Sequence, residues 1–354
     1  MSLRVSLTKS GRSFSVAPGQ PVLDAALDAG LNLPHSCKGG NCGACRARLL
    51  HGQVHYPNGR PLGLAESEVA DGLVLLCQAR ADTDLAIETF ELSIADQAQV
   101  KRLPSRVEHV RRWSHDVMGV FLRLPAAERF DFLPGQYIDI LLPGGRRRSF
   151  SIASPPHDSR LLELHVRRVP GGEFTEQLFG DEPRTDLLNI EGPLGHFVYR
   201  TPEPPPGGEA TPMLLVGGGT GLAPLKSIMR HVIENGVRRE MTLFWGVRSE
   251  RDLYAHAALE ELARSAANLR YVPVLSEPSS RWQGRCGWVH EAVLREVEQL
   301  DRYEVYASGP PQMVDAVRGE FGRRGVPPER LFFDSFDYAP DSVARHRIMA
   351  ATKS

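Results

Sequence analysis

Apolar and polar residues alternate at the start of the chain. Leu3, Val5 and Leu7 share one face, and after Lys9-Ser10-Gly11-Arg12 the alternation resumes at Phe14 and Val16. This pattern predicts a hairpin. From Pro21 to Asp28 the period lengthens: Val22, Leu23, Ala26 and Leu27 fall on one helical face, and Gly30 supplies the stop. Short alternating segments broken by Pro and Gly then cover 117–124, 136–142, 149–153, 161–166 and 187–190. Many short strands with turn signals predict an antiparallel barrel. In the last third the pattern changes again. Apolar strands over 213–216, 241–246, 271–275 and 304–307 alternate with helical stretches, the first helix running to about Glu234. That order predicts a parallel sheet with right-handed crossovers, binding its ligand at the carboxyl edge of the strands.

The predicted fold is therefore multidomain, α+β followed by α/β. Residues 97–104 lack a core pattern and read as a linker, and the Pro/Gly/Glu-rich 202–210 reads as a second boundary. The expected divisions are 1–95, 103–205 and 210–337, with a polar tail over 338–354. Length alone, 354 residues, allows two or three domains. Charge narrows the partners: 42 Lys and Arg stand against 43 Asp and Glu, a net −1. This balance speaks against a bulk nucleic-acid binder. No apolar run approaches the roughly 18 residues of a membrane span. The first residues alternate like a strand and lack the apolar stretch of a signal peptide.

The five cysteines are unevenly placed. Cys37, Cys42, Cys45 and Cys77 lie early, and Cys286 stands alone. The spacing C-x4-C-x2-C with a distant fourth cysteine is the ligand pattern of a plant-type [2Fe–2S] cluster. A zinc loop is the alternative, but such sites usually present two Cys pairs or a Cys pair with a His pair. Gly39, Gly40 and Gly43 between the cysteines let the backbone turn tightly and bring N–H groups to the sulfurs. Four thiolates held for iron imply a reducing, cytoplasmic setting. Cys286 is expected to be a partly buried structural thiol, and His51 and His55 to be surface residues. Hairpin, helix, cysteine loop and late fourth ligand together resemble a plant-type ferredoxin domain. The resemblance implies a β-grasp fold over about residues 1–95.

Later motifs resemble the ferredoxin–NADP reductase superfamily. Arg148-Ser149-Phe150-Ser151 is similar to its Arg-x-Tyr-Ser motif, with Phe in place of Tyr. The resemblance implies an Arg fork on a flavin phosphate, an aromatic ring beside the flavin and a Ser hydroxyl near N5. His165 and Val166 belong to the next element. It leads into Gly171-Gly172-Glu173-Phe174-Thr175, where backbone N–H groups at a helix start would meet the pyrophosphate. Seen alone, Arg146-Arg147-Arg148 would be a solvated basic face, and 171–175 a plain turn and N-cap. Gly217-Gly218-Gly219-Thr220-Gly221-Leu222-Ala223-Pro224 follows a strand and opens a helix. Its spacing is not the usual Rossmann fingerprint but resembles the superfamily's Gly-Gly-x-Gly-x-Ala-Pro loop. Gly246 through Tyr254 resembles the G-x-R-x-x-x-D-L-Y segment. Ser308-Gly309-Pro310-Pro311-Gln312-Met313 resembles Cys-Gly-Pro-Pro-x-Met, with Ser where many relatives carry Cys near nicotinamide C4. Phe336 is the candidate aromatic shield of the flavin, with ordinary core as its alternative.

The resemblance implies an NAD(P)H-dependent reductase holding FAD and a [2Fe–2S] cluster. Hydride brings two electrons, the cluster takes one, and a flavin bridges the two. Ser308, Phe336 and Ser151 are the expected catalytic groups. Gly218, Gly219, Thr220, Gly221, Arg248, Gly309, Pro310 and Met313 are expected around the nicotinamide dinucleotide. Arg248, Ser249 and Arg251 would suit a 2′-phosphate. The resembling families mostly use NADH, so NADH is expected, with NADPH the alternative. The acceptor is expected to be a protein: a dehydrase of CDP-6-deoxy-hexulose metabolism or, alternatively, a Rieske or di-iron oxygenase component. A redox-sensing module is the reading of another class.

Overall fold

The computed structural model describes residues 2–31, 33–35, 38–40, 43–89, 99–180, 187–201 and 210–336. Cys37, Cys42 and the tail over 338–354 lie outside them. Two compact units divide the chain. One runs over Met1–Gln97 and takes in Phe333–Asp337; the other holds Ala98–Phe332.

In the first unit the expected hairpin forms. β1 (Leu3–Leu7) pairs antiparallel with β2 (Ser13–Val16), placing Val5 opposite Phe14. α1 (Val22–Asp28) buries Val22, Leu23, Ala25 and Ala26. β3 (Arg46–His51), β4 (Val54–His55), α2 (Glu66–Ala70), β5 (Leu73–Leu75), β6 (Arg80–Ala81) and β7 (Leu85–Glu88) follow. The main sheet runs β2-β1-β7-β3-β5, with β1 and β7 parallel. A mixed sheet with one helix packed on its core is the expected β-grasp. Leu23, Leu33, Leu64, Leu75 and Ile87 are buried in that core.

The second unit opens with a six-stranded antiparallel sheet. Its strands are β8 (Lys101–Arg112), β9 (Val117–Arg123), β10 (Tyr137–Leu141), β11 (Arg147–Ser151), β12 (Leu161–Arg167) and β13 (Leu187–Leu194). Their order is β11-β10-β13-β8-β9-β12, and an Ile152–Leu164 bridge brings the two ends together. α3 (Glu173–Phe179) packs Phe174 and Leu178 on this core. β8 corrects the linker expected over 97–104. Leu103, Ser105 and Val107 alternate inward from inside that stretch. Pro104 and the charged residues between them face outward and mask the alternation.

A parallel sheet forms the rest. It comprises β14 (Met213–Gly218), β15 (Met241–Val247), β16 (Leu269–Leu275), β17 (Arg285–Cys286), β18 (Glu304–Gly309) and β19 (Leu331–Ser335). The order is β17-β16-β15-β14-β18-β19. Its helices are α4 (Leu222–Glu234), α5 (His256–Ser265), α6 (Val289–Glu296) and α7 (Pro311–Arg323). Cys286 is exposed on the short edge strand β17, so the expected partly buried thiol is corrected. Two residues of pairing at a sheet edge cannot cover a side chain. His51 and His55 are exposed, as expected. Among the described residues no helix is long and apolar enough to cross a membrane.

Candidate functional site

The cysteine loop leads into β3, and the late cysteine follows β5. Cys45 and Cys77 are both buried and free of disulfides. The Leu76 amide donates to the Cys45 carbonyl at 3.1 Å, so the two segments lie side by side. Gln78 donates from Nε2 to the Lys38 carbonyl at 2.8 Å, tying the loop back to the fourth cysteine. Gly40 and Gly43 hold positive φ angles of 83° and 72°, which a side chain would resist. Two buried thiols outside any disulfide, beside a tightly turned loop, suit thiolate ligation of a [2Fe–2S] cluster.

In the barrel, register places Tyr137 opposite Ser151 and Asp139 opposite Ser149. The three consecutive arginines separate. Arg146 forks onto Glu173 at 2.6 and 3.2 Å, and Arg147 pairs with Glu191 and Asp139. Arg148 donates to the Arg147 carbonyl at 2.8 Å. Ser149 donates from Oγ to Asp139 at 2.6 Å, Ser151 is buried, and the Phe150 ring lies 5.6 Å from Phe174. A phosphate at the start of α3 would meet backbone N–H groups, since the Glu173 carboxylate is engaged by Arg146. Thr175 turns its hydroxyl back to the Val169 and Gly172 carbonyls at 3.1 Å each. Val166 is wholly buried in the barrel core.

His165 enters a network that the sequence did not reveal. Its Nε2 lies 2.9 Å from Glu163, and its Nδ1 lies 2.8 Å from the Tyr254 hydroxyl. Lys226 of α4 donates to the same Glu163 at 2.5 Å. Burial alone would raise the Glu163 pKa, but His165 and Lys226 outweigh it and hold the carboxyl at about 2. Burial pushes the His165 pKa down, favouring a neutral ring. Trp113 stacks on Tyr254, with centroids 5.7 Å apart and planes 1° apart. These contacts fasten the barrel to the parallel-sheet domain.

At the carboxyl edge of that sheet two glycine segments meet. Gly217 on β14 pairs with Ser308 on β18. A Cβ on Gly221 would lie 2.0 Å from the Ser308 carbonyl, and one on Gly218 would lie 2.7 Å from the Met313 sulfur. Gly309 crowds Gly218 in return, and Pro310 stands 2.8 Å from the same Gly218 position. Trp245 donates from Nε1 to the Gly219 carbonyl at 2.8 Å, and the Arg167 guanidinium lies against Gly219. Thr220 is half-buried in the turn. Ser308 is fully buried, and its hydroxyl has no hydrogen-bond partner among the described residues. An orphaned hydroxyl beside a glycine loop that opens a helix fits a dinucleotide carrying a polar carboxamide.

Arg248 is half-exposed, 3.8 Å from Asp252 and 3.9 Å from Asp116. Beyond it an open groove of about 570 Å³ is lined by Ser249, Glu250, Arg251, Ser279, Arg281 and Trp282. Glu250 accepts from the Ser279 hydroxyl at 2.5 Å. Phe336, placed in the stretch that groups with the first unit, is half-buried. Sequence reasoning missed Arg167, Trp245 and Lys226. Each acts on a partner far along the chain, and no local spacing signals such a contact.

Comparison with known proteins gives three family matches. An oxidoreductase NAD-binding domain matches residues 215–319, an oxidoreductase FAD-binding domain 104–199, and a 2Fe-2S iron-sulfur cluster binding domain 5–82. The chain is 35% identical over 336 residues to the CDP-6-deoxy-L-threo-D-glycero-4-hexulose-3-dehydrase reductase of Yersinia pestis, covering 95% of this chain and 99% of that one. It is 38% identical over 343 residues to the reductase subunit of an aromatic O-demethylase from an Amycolatopsis species, covering 95% and 99%. Among solved structures it resembles the Amycolatopsis cytochrome P450 reductase GcoB, with a TM-score of 0.74, 36% identity and coverage of 94% and 98%. It also resembles a ferredoxin reductase in carbazole 1,9a-dioxygenase, with a TM-score of 0.67, 29% identity and coverage of 95% and 99%.

Proposed function

Since the chain belongs to the iron–sulfur flavoprotein reductases that join [2Fe–2S], FAD-binding and NAD-binding domains, we propose that it feeds electrons to a deoxysugar dehydrase. The chain is an NAD(P)H oxidoreductase of the electron-transfer class. The observation that carries the choice of acceptor is the end-to-end match to the Yersinia dehydrase reductase. A reductase component for an aromatic oxygenase is the second reading, favoured by the Amycolatopsis subunit and its solved relative. NADH is the donor on this reading, and Glu250 is the acid in the groove that a ribose 2′-hydroxyl would meet. Arg251 and Arg281 keep NADPH as the alternative. A cytoplasmic setting belongs to the same reading, because four thiolates held for iron suit a reducing compartment.

When bound, a nicotinamide would supply hydride, a flavin would divide its two electrons, and a [2Fe–2S] cluster would release them singly. Cys37, Cys42, Cys45 and Cys77 would hold the cluster. Arg148 would fork onto a flavin phosphate, Phe150 would pack beside the ring, and Ser149 and Ser151 would line its edge. The amides of Gly172, Glu173, Phe174 and Thr175 would meet the pyrophosphate. Gly218, Gly219, Thr220 and Gly221 would admit the second dinucleotide, with Gly309, Pro310 and Met313 as its floor. Arg248 would stand at its ribose end, and Ser308 would offer its hydroxyl to the nicotinamide. Phe336 would screen the flavin. Side chains of His165 and Val166 are committed elsewhere, so their part would fall to backbone atoms.

The test is reconstitution. The purified protein, NADH and a pyridoxamine-dependent dehydrase should give dehydrase turnover. Turnover only with an aromatic oxygenase component would favour the second reading. Replacing Cys77→Ser should abolish reduction of cytochrome c while sparing reduction of small dyes at the flavin. Retained cytochrome reduction would contradict the ligand assignment.

A further inference from the structure

Arg46 directly follows Cys45 and is the first residue of β3. Its side chain turns back over the cysteine loop instead of out to solvent. The guanidinium lies against Gly43, two residues before Cys45: a Cβ there would meet Nη2 at 2.6 Å, Cζ at 2.9 Å and Nη1 at 3.1 Å. Nη2 donates to the Gly63 carbonyl at 2.8 Å, and the Gly63 amide donates to the Gly40 carbonyl at 2.8 Å. The guanidinium therefore touches the loop directly at Gly43 and reaches Gly40 through Gly63. Nε is buried without a hydrogen bond, 3.0 Å from Glu68 Oε1. The other Glu68 oxygen, Oε2, accepts from the Ala65 amide at 2.7 Å, which fixes the carboxylate in place. Arg46 and Glu68 are 26% and 25% exposed, so the pair is partly screened and still felt.

We propose that Arg46 is a positioning residue for the [2Fe–2S] cluster, raising its reduction potential by holding a cation against the ligand loop, with Glu68 setting how much of that charge acts. The proposal rests on the reading of this loop as the cluster site. Reduction adds negative charge to a cluster that is already anionic, and cluster potentials follow net charge and hydrogen bonding around the sulfurs. A guanidinium held over the loop favours the reduced form. The carboxylate beside it partly cancels that effect. The arrangement makes the cluster a better one-electron acceptor from the flavin without adding a ligand.

The two partners predict shifts of opposite sign, which a general loosening of the loop would not produce. Redox titration of the holoprotein, followed by the EPR signal of the reduced cluster, reads the midpoint directly. Arg46→Gln should weaken the one-electron reduction equilibrium about tenfold, or about 59 mV downward for a one-electron couple. Glu68→Gln keeps an acceptor for the Ala65 amide and should strengthen that equilibrium about threefold. Arg46→Lys keeps the charge but not the fork and should stay near the parent value. Midpoints that do not move, or that fall in both Arg46→Gln and Glu68→Gln, overturn the proposal. If Arg46→Gln loads no cluster, the Lys and Glu68→Gln variants decide by the same signs. A parent protein without any reduced [2Fe–2S] signal would instead defeat the cluster assignment itself.

Discussion

The cysteine loop and the dinucleotide loop are both glycine-rich, and two of their glycines serve different ends. In the cysteine loop, Gly43 needs its left-handed φ of 72°, and what lies over it is the flexible end of Arg46. In the dinucleotide loop, Gly221 has an ordinary φ of −59° but lies against backbone, with the Ser308 carbonyl where a Cβ would be. Gly43 answers to a conformation and Gly221 to the room that backbone takes, while Gly219 beside it holds a positive φ of 56° as well. The ion pairs that back the loops differ in the same sense. Arg46–Glu68 is about a quarter exposed, whereas Lys226–Glu163 sets a carboxylate only 8% exposed behind the helix that follows the dinucleotide loop.

The sharpest way to break this contrast is to add one methyl group to each loop. Gly221→Ala drives a Cβ into fixed backbone and should slow NADH-dependent flavin reduction by at least about 100-fold. A cost of roughly 3 kcal/mol in stability should accompany it. Stopped-flow absorbance and thermal melts check both, and a near-normal rate would show that the loop yields. Acid should come next in size. The Glu163 carboxyl is held at about 2 in the folded protein against 4.5 unperturbed. It contributes stability above pH 4.5 that is lost as pH falls toward 2, about 3 kcal/mol in all. Lys226→Met should flatten that loss in acid melts, while Glu68→Gln should not.

Gly43→Ala should cost about 1–2 kcal/mol, the price of a left-handed alanine. The cluster should remain, because the Arg46 guanidinium can swing aside; loss of the 2Fe–2S absorbance would place this loop in the same class as the other. Ser308→Cys is the smallest expected change. Its hydroxyl is buried and unpartnered, so exchanging oxygen for sulfur should alter single-turnover flavin reduction several-fold with little change in Tm. An unchanged rate would remove Ser308 from the hydride geometry.

The same contrast explains what could be read from the chain. The cysteine loop is local: spacing and glycines within nine residues point to its chemistry. The strands of the barrel and parallel sheet were legible because their periodicity is local too. Pro104 hid the start of β8, and two-residue β17 gave no sign that Cys286 would stay exposed. The dinucleotide loop was legible as glycines but not as a packed site. Trp245 reaches Gly219 from 26 positions away, and Lys226 reaches Glu163 from 63. Such contacts arise from sheet order, which periodicity does not encode. Arg46 was visible as a residue, but only the fold turns it back onto Gly43.

Hydride electrons are expected to leave one at a time through the cluster. The direct test is anaerobic mixing of the loaded protein with NADH, following flavin and cluster absorbance together with EPR. The flavin band should bleach first, and the cluster signal of the reduced [2Fe–2S] form should rise after it. Full flavin reduction with a cluster that stays oxidised would contradict the account.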